Sequence, residues 1–167
     1  MSRILTIDQG TTSSRSIIFD QNANIQVSAQ EEYPLLYPND GWVEIEPNKL
    51  YDSVINTLNQ LDLSEIKYAG ITNQRETTLI WDRQTHEPIY NAIVWQDRRT
   101  SEYCDSISTD KNKSLIKDKT GLIIDSYFSA TKIKWILDNV EGAKSKALAG
   151  DLCFGTVDSY LLFKLSN

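Results

Sequence analysis

The chain has 167 residues and a mass of 19.0 kDa, enough for one ordinary domain that buries roughly two thirds of its unfolded surface. Seventeen basic residues stand against 23 acidic ones, for a formal charge of -6 and a pI near 4.8. That balance works against attraction to phosphate backbones and anionic lipid, so nucleic acid and membrane surfaces are not expected as partners.

Taken in chain order, Arg3 to Ile7 is a short apolar run that stops at Asp8, and Arg15 to Phe19 resumes it after the polar segment DQGTTSS. With Asn24 to Glu32 as a third strand, this opening predicts an antiparallel meander. Tyr33 to Val43 holds Pro34, Pro38 and Gly41 and reads as a loop, with Trp42 pinning it down. Pro47 suits a first helical turn, and Leu50, Val54, Leu58 and Leu61 recur at helical spacing behind it. Tyr68 to Thr72 reads as a compact apolar strand, Thr77 to Trp81 as another and Ala92 to Trp95 as a third, with Asp82 to Pro88 as a turn. The charges between Asp105 and Lys119 read as a solvated face, and His86 as an exposed turn residue. Farther on, Lys132 to Val140 places Ile133, Ile136, Leu137 and Val140 on one helical face, with Trp135 in the core, and Asp158 to Leu165 follows the run Leu152 to Val157 as a last helix.

The N-terminal stretch is broken at Asp8 and has no small-residue cleavage site, so no secretory leader is expected, and no apolar run reaches the length of a membrane span. Cys104 and Cys153 lie far apart without a CxxC spacing, and His86 has no ligand partner near it. Zinc and redox motifs are therefore not expected, both cysteines read as small hydrophobes, and a reducing cytoplasm is the expected location.

The segment Asp8, Gln9, Gly10, Thr11, Thr12, Ser13, Ser14, Arg15 carries the most chemical information. Gly10 can take a positive φ at little cost, which would turn the backbone tightly and aim its amides at an anion. Thr11, Thr12 and Ser13 add hydroxyl donors, and Arg15 adds a forked, charged one. Together they would cradle a nucleotide phosphate. Asp8 would repel that phosphate unless a cation lay between them, so its place at the strand end predicts Mg2+ held through water. The same cluster also suits a plain hairpin. Neither a GxxxxGK[ST] loop nor a GxGxxG entering a helix occurs, so any binding would rest on a hairpin and not on a helix N-terminus.

DQGTTSSR after a first strand resembles the first phosphate motif of the FGGY carbohydrate kinases, within the actin-like, ribonuclease-H-like ATPases. GITNQRETT at 70 to 78, PIYNAIVWQDRRT at 88 to 100, TGLIIDSYFSATKIKWIL at 120 to 137 and FGTVDSYL at 154 to 161 resemble the glycerol-phosphorylating members of that family, in register along the whole chain. The resemblance implies an α/β fold of the actin-like kind, with residues 1–167 forming part of the family's N-terminal domain. It also implies MgATP as phosphoryl donor and glycerol as acceptor. Family members are considerably longer, and their catalytic base is an Asp beyond residue 167, so no Asp here is expected to act as base. The C-terminal half of the same enzyme is then a necessary partner, and the 167 residues alone are expected to be inactive. Oligomeric state is left open, a homo-oligomer included.

Arg75 and Glu76 follow the strand at 68–72, where α/β proteins tend to place ligands. Glu76 can accept from two hydroxyls while Arg75 donates to their oxygens, which suits an uncharged polyol. From the dipeptide alone, a solvated surface ion pair suits the residues too. The resemblance implies the polyol role for Arg75 and Glu76. It implies likewise that Tyr127, in SYFSATK, is a third glycerol ligand and that Trp95, in VWQ, packs on the carbon backbone. Gly155, Thr156 and Asp158 match a family string and read as structural. Two rivals remain: a kinase of another sugar in the family, and a non-catalytic nucleotide-binding module of the actin or chaperone kind. Arg75 and Glu76 argue against the second, which has no small polyol to hold.

Overall fold

Two four-stranded sheets organise residues 3–166, which the computed structural model describes; Met1, Ser2 and Asn167, the ends of the expected 1–167 span, lie outside the described residues. The first sheet has the order β3-β2-β1-β5, with β1 at Arg3–Gln9, β2 at Ser13–Phe19, β3 at Ile25–Glu32 and β5 at Ile66–Asn73. The second has the order β4-β7-β6-β8, with β4 at Glu44–Ile45, β6 at Thr78–Asp82, β7 at Ala92–Ile93 and β8 at Leu152–Thr156.

The opening meander forms as the short runs separated by turns predict. β1 buries Leu5, Ile7 and Gln9 and turns Ile4 and Asp8 to solvent, and β2 lies antiparallel to it with Asp8 opposite Arg15. Helix α1, Pro47–Asn59, begins on Pro47 and buries Leu50 and Val54. It returns the chain so that β5 joins β1 in parallel. Two hydroxyl pairs, Ser14 with Ser53 at 2.8 Å and Ser16 with Thr57 at 2.7 Å, satisfy the polar groups buried between α1 and β2. The parallel register sets Asp8 beside Thr72 and Gln9 beside Asn73. Two turns far apart in sequence therefore leave the same end of the sheet together.

A contiguous core joins the sheets: Leu5, Ile7 and Ile18 pack with Leu50 and Val54 of α1, with Leu79 and Trp81 of β6, and with Val157, Tyr160 and Leu161 of α6, Val157–Ser166. Cys104 is buried and Cys153 half-buried, both as free thiols.

The charges between Asp105 and Lys119 face solvent as expected, and the stretch is helical, which the sequence reading did not assign, with α2 at Ser101–Ile107 and α3 at Asp110–Thr120. Because α3 buries none of its residues, no apolar stripe marks it. Its signals are at the ends: Thr109 Oγ1 accepts from Asn112 N at 3.2 Å, and Gly121 stops it at φ 73°. The helix at Ser129–Asn139 (α4) was legible, but α5 at Ala143–Ala149, set between Gly142 and Gly150 at positive φ, was not. β5 is an edge strand with much of its length exposed, Tyr68 by 69%, and not a compact apolar strand. His86 is half-buried rather than exposed, its ring set edge-on to Phe163 at 4.6 Å.

Candidate active site

The ends of β1 and β5 open into a cleft of about 330 Å³ lined by Asp8, Gln9, Gly10, Thr11, Asn73, Gln74, Arg75, Trp95 and Tyr127. Five residues singled out in the sequence, Asp8, Thr11, Arg75, Trp95 and Tyr127, thus share one wall.

The first turn is closed by Gly10 N donating to Ser13 O at 2.9 Å, and Tyr33 N donates to Thr12 O at 3.1 Å. Gly10 does not use the positive-φ region, contrary to expectation. Its need for glycine is spatial, since a Cβ there would lie 3.2 Å from Ser13 O. Behind the turn sits a buried polar network that the motifs did not single out. Gly10 O accepts from Gln9 Nε2 at 2.7 Å, from Gln74 Nε2 at 3.0 Å and from the Tyr33 hydroxyl. Gln74 N donates to Gln9 O at 2.7 Å, tying the second turn to the first. Burial drives the Tyr33 phenol well above its ordinary pKa, so it stays a neutral donor. Gln9 had one sequence signal: it follows Leu5 and Ile7 in the inward phase of β1.

Thr12 and Ser13 stand at the turn but outside the cleft wall. Arg15 is one strand away, where its Nε donates to Gln30 Oε1 at 2.9 Å and the guanidinium is exposed. Asp8 is exposed at the mouth.

At the second turn Arg75 is exposed and lines the cleft, whereas Glu76 lies just behind it, outside the lining residues, and is held at φ 65°, a conformation a glutamate adopts only under local constraint. The constraint comes from Ser129 Oγ, which donates to the Glu76 carboxylate at 3.0 Å, and from Thr78 Oγ1, which donates to the Glu76 carbonyl at 3.0 Å. Tyr127 N donates to Asp125 Oδ1 at 2.7 Å. The Trp95 indole N–H donates to Thr11 Oγ1 at 3.0 Å, and its ring meets Tyr127 edge-on at 6.1 Å.

Away from the cleft wall lies a buried ion cluster centred on Arg99. Arg99 Nη2 reaches Glu44 at 2.7 Å and Asp97 at 2.8 Å, with all three side chains nearly or fully buried. The Trp42 ring covers the guanidinium at 3.9 Å and Trp135 at 4.5 Å. Burial opposes the charge on Glu44, but bonds from Asn91, Tyr90 and Arg99 outweigh it and hold the carboxyl below its ordinary range. Asp97 Oδ2 also accepts from Val43 N at 2.7 Å, so the cluster anchors the loop that ends in Trp42 and Val43.

A magnesium ion that keeps most of its water needs one or two carboxylates plus phosphate oxygens. Asp8, exposed beside the hydroxyl-rich turn, fits that need. Among the described residues no group of three or more His, Cys, Asp or Glu could form an all-protein cage. No helix among them is long and apolar enough to cross a membrane.

Comparison with known proteins shows the family and the fold. The N-terminal domain of the FGGY family of carbohydrate kinases matches residues 3–167. The glycerol kinase of Alteromonas mediterranea is 57% identical, over 98% of this chain and 35% of its own length. That of Borreliella afzelii is 53% identical, over 100% of this chain and 34% of its own. Among solved structures, Plasmodium falciparum glycerol kinase with ADP superposes with a TM-score of 0.92 at 36% identity, covering 98% of this chain and 34% of that one. A ligand-bound xylulose kinase from Lactobacillus acidophilus, at 21% identity, gives 0.82 over 98% of this chain and 33% of its own, a likeness of fold alone. The α/β arrangement is that of these sugar kinases, the actin-like ATPase fold. The chain spans about a third of the length of the curated relatives it matches.

Proposed function

The chain belongs to the FGGY family of carbohydrate kinases, and on that premise we propose that the full-length protein transfers the γ-phosphoryl group of MgATP to the 3-hydroxyl of glycerol. One observation carries the reading: the parallel register of β1 and β5 sets the Gly10–Thr11 turn and the Gln74–Arg75 turn on one cleft. A phosphoryl donor and an acceptor hydroxyl must approach within contact distance for transfer, and catalysis of this reaction is mostly positioning and charge stabilisation.

In this reading Thr11, Thr12 and Ser13 present hydroxyls and turn amides to the nucleotide phosphates. Arg15 joins them only by releasing Gln30. Asp8 would hold the magnesium ion, which when bound supplies positive charge to the phosphate oxygens. Glu76 accepts from two glycerol hydroxyls, Arg75 donates to their oxygens, Tyr127 adds a third polar contact and Trp95 packs on the carbon chain. The γ-phosphoryl bond to ADP breaks as the bond to the glycerol oxygen forms, and the hydroxyl proton passes to a base. That base is assigned to the part of the enzyme outside these residues, as is most of the adenosine site. A cytoplasmic location suits the two free thiols.

The test is a coupled assay of the full-length protein with MgATP and a panel of glycerol, xylulose and gluconate. Turnover with glycerol at least about a hundredfold above the others in kcat/KM is expected. Preference for a sugar would replace glycerol and leave the phosphate turn in place. Binding of nucleotide without turnover of any polyol would overturn the kinase reading.

A further inference from the structure

Lys132 lies on the inward face of α4, fully buried, one turn before Ile136, which packs with Ile80 and Ile93. An ammonium in such a place is unfavourable unless it is well bonded, and an apolar residue of the same size would pack there without that penalty. Its Nζ donates to the backbone carbonyl of Tyr127 and, at 3.3 Å, to that of Glu76. Both carbonyls belong to turns outside the strands and helices, and the Glu76 carbonyl also accepts from Thr78 Oγ1 at 3.0 Å, so Lys132 is a second donor there and links it to Tyr127. The same helix reaches Glu76 a second time through Ser129 in its first turn.

We propose that Lys132 is a positioning residue of the polyol site, a buried clamp that fixes the backbones of Glu76 and Tyr127 at one separation so that both side chains meet the same small triol. The proposal rests on the reading of Glu76 and Tyr127 as glycerol ligands. It goes beyond that reading by assigning their spacing, and hence the size of polyol accepted, to a residue that touches no substrate. Simple neutralisation of the Glu76 carboxylate does not describe the contact, because the ammonium bonds the carbonyl while Ser129 bonds the carboxylate. Burial pushes the Lys132 ammonium down to about 8 against the favourable charges of Glu76, Asp97 and Asp125, with Arg98 opposing it. The Tyr127 ring lies 6.0 Å from the nitrogen.

Lys132→Met in the full-length protein removes the donors and keeps the volume. Losing a charged hydrogen bond at each of two carbonyls is expected to raise the KM for glycerol about tenfold or more, with kcat at saturating glycerol within about threefold and the KM for ATP within about twofold. Amide hydrogen exchange is expected to quicken in 75–78 and 126–129 together. A glycerol KM that does not move, or glycerol and ATP constants that rise alike, overturns the clamp. If the unaltered protein does not phosphorylate glycerol, the proposed function falls, and exchange alone decides: faster exchange in both segments keeps the clamp, and no change in either ends it. Should Lys132→Met fail to fold, the unaltered protein is read as pH rises through about 8, where loss of the ammonium proton is expected to raise the glycerol KM; a flat profile overturns the proposal.

Discussion

The indole N–H of Trp95 donates to the hydroxyl of Thr11 at 3.0 Å, joining an aromatic ring of the cleft to the turn at Gly10–Thr11. Trp95 is itself held from behind, its backbone N donating to Thr77 Oγ1 at 3.2 Å, while Thr77 donates to Gln74. A displacement of Thr11 is thus felt at the aromatic ring, and the ring is braced by the second turn.

The Trp95–Thr11 bond is expected to couple the two substrates. Trp95→Phe keeps most of the packing and Thr11→Val keeps the shape, and each removes one partner. A neutral hydrogen bond is worth about 1 kcal/mol net, so a double-mutant cycle on kcat/KM for glycerol should return a coupling of about that size. Independent effects would show that the bond is not maintained with substrates present.

Glu76→Gln in the full-length protein replaces a charged acceptor by a neutral one that still accepts from Ser129. A charged hydrogen bond contributes about 1.5 to 3 kcal/mol, so the KM for glycerol should rise about tenfold or more while the KM for ATP stays nearly constant. Steady-state titration of each substrate checks it, and a rise confined to ATP would remove Glu76 from the polyol site.

Asp8→Ala takes away the carboxylate placed at the phosphate turn. Turnover is expected to fall by about a hundredfold or more, with a raised requirement for Mg2+. A Mg2+ titration of kcat in both proteins measures this. Unchanged turnover and unchanged metal dependence would show that Asp8 does not hold the ion.

Arg99→Met leaves Glu44 and Asp97 buried without their cation, a change that should cost about 3 to 5 kcal/mol in urea unfolding near neutral pH. The pH dependence follows from Glu44, whose folded carboxyl is held below its ordinary value of 4.5. The unfolded state therefore takes up the proton first. Stability from this group is complete above about 4.5 and is lost as pH falls toward the lower folded value. In Arg99→Met that acid-side loss should be shallower, because the guanidinium no longer favours the carboxylate.

Local patterns carried much of the fold. The apolar run at 3–7, the Pro47 start with Leu50 and Val54 behind it, and the runs at 77–81 and 152–157 correspond in the structure to β1, α1, β6 and β8, within a residue or two. What was missed lacked a periodic apolar face: α3 buries nothing, and α5 is short and bounded by two glycines. Helices held by capping and by their own backbone bonds leave little hydrophobic trace for a sequence to display.

The site divides along the same line. Residue types and local order raised Asp8, Thr11, Arg75 and Glu76 as candidates, but a plain hairpin and a solvated ion pair suited the same residues, and the polyol reading of Arg75 and Glu76 came from resemblance. Tyr127 and Trp95 came only from resemblance, and Gln9, Gln74 and Lys132 were not assigned at all. Their roles depend on partners contributed by other parts of the chain: Gln74 on Gly10, Trp95 on Thr11, and Lys132 on the carbonyls of Glu76 and Tyr127. A sequence displays which side chains can donate, accept or carry charge. Which groups they meet was decided by the parallel pairing of β1 with β5 and the packing of α4 on β6, because burial in that shared core leaves each polar group only the partners that tertiary structure brings within reach.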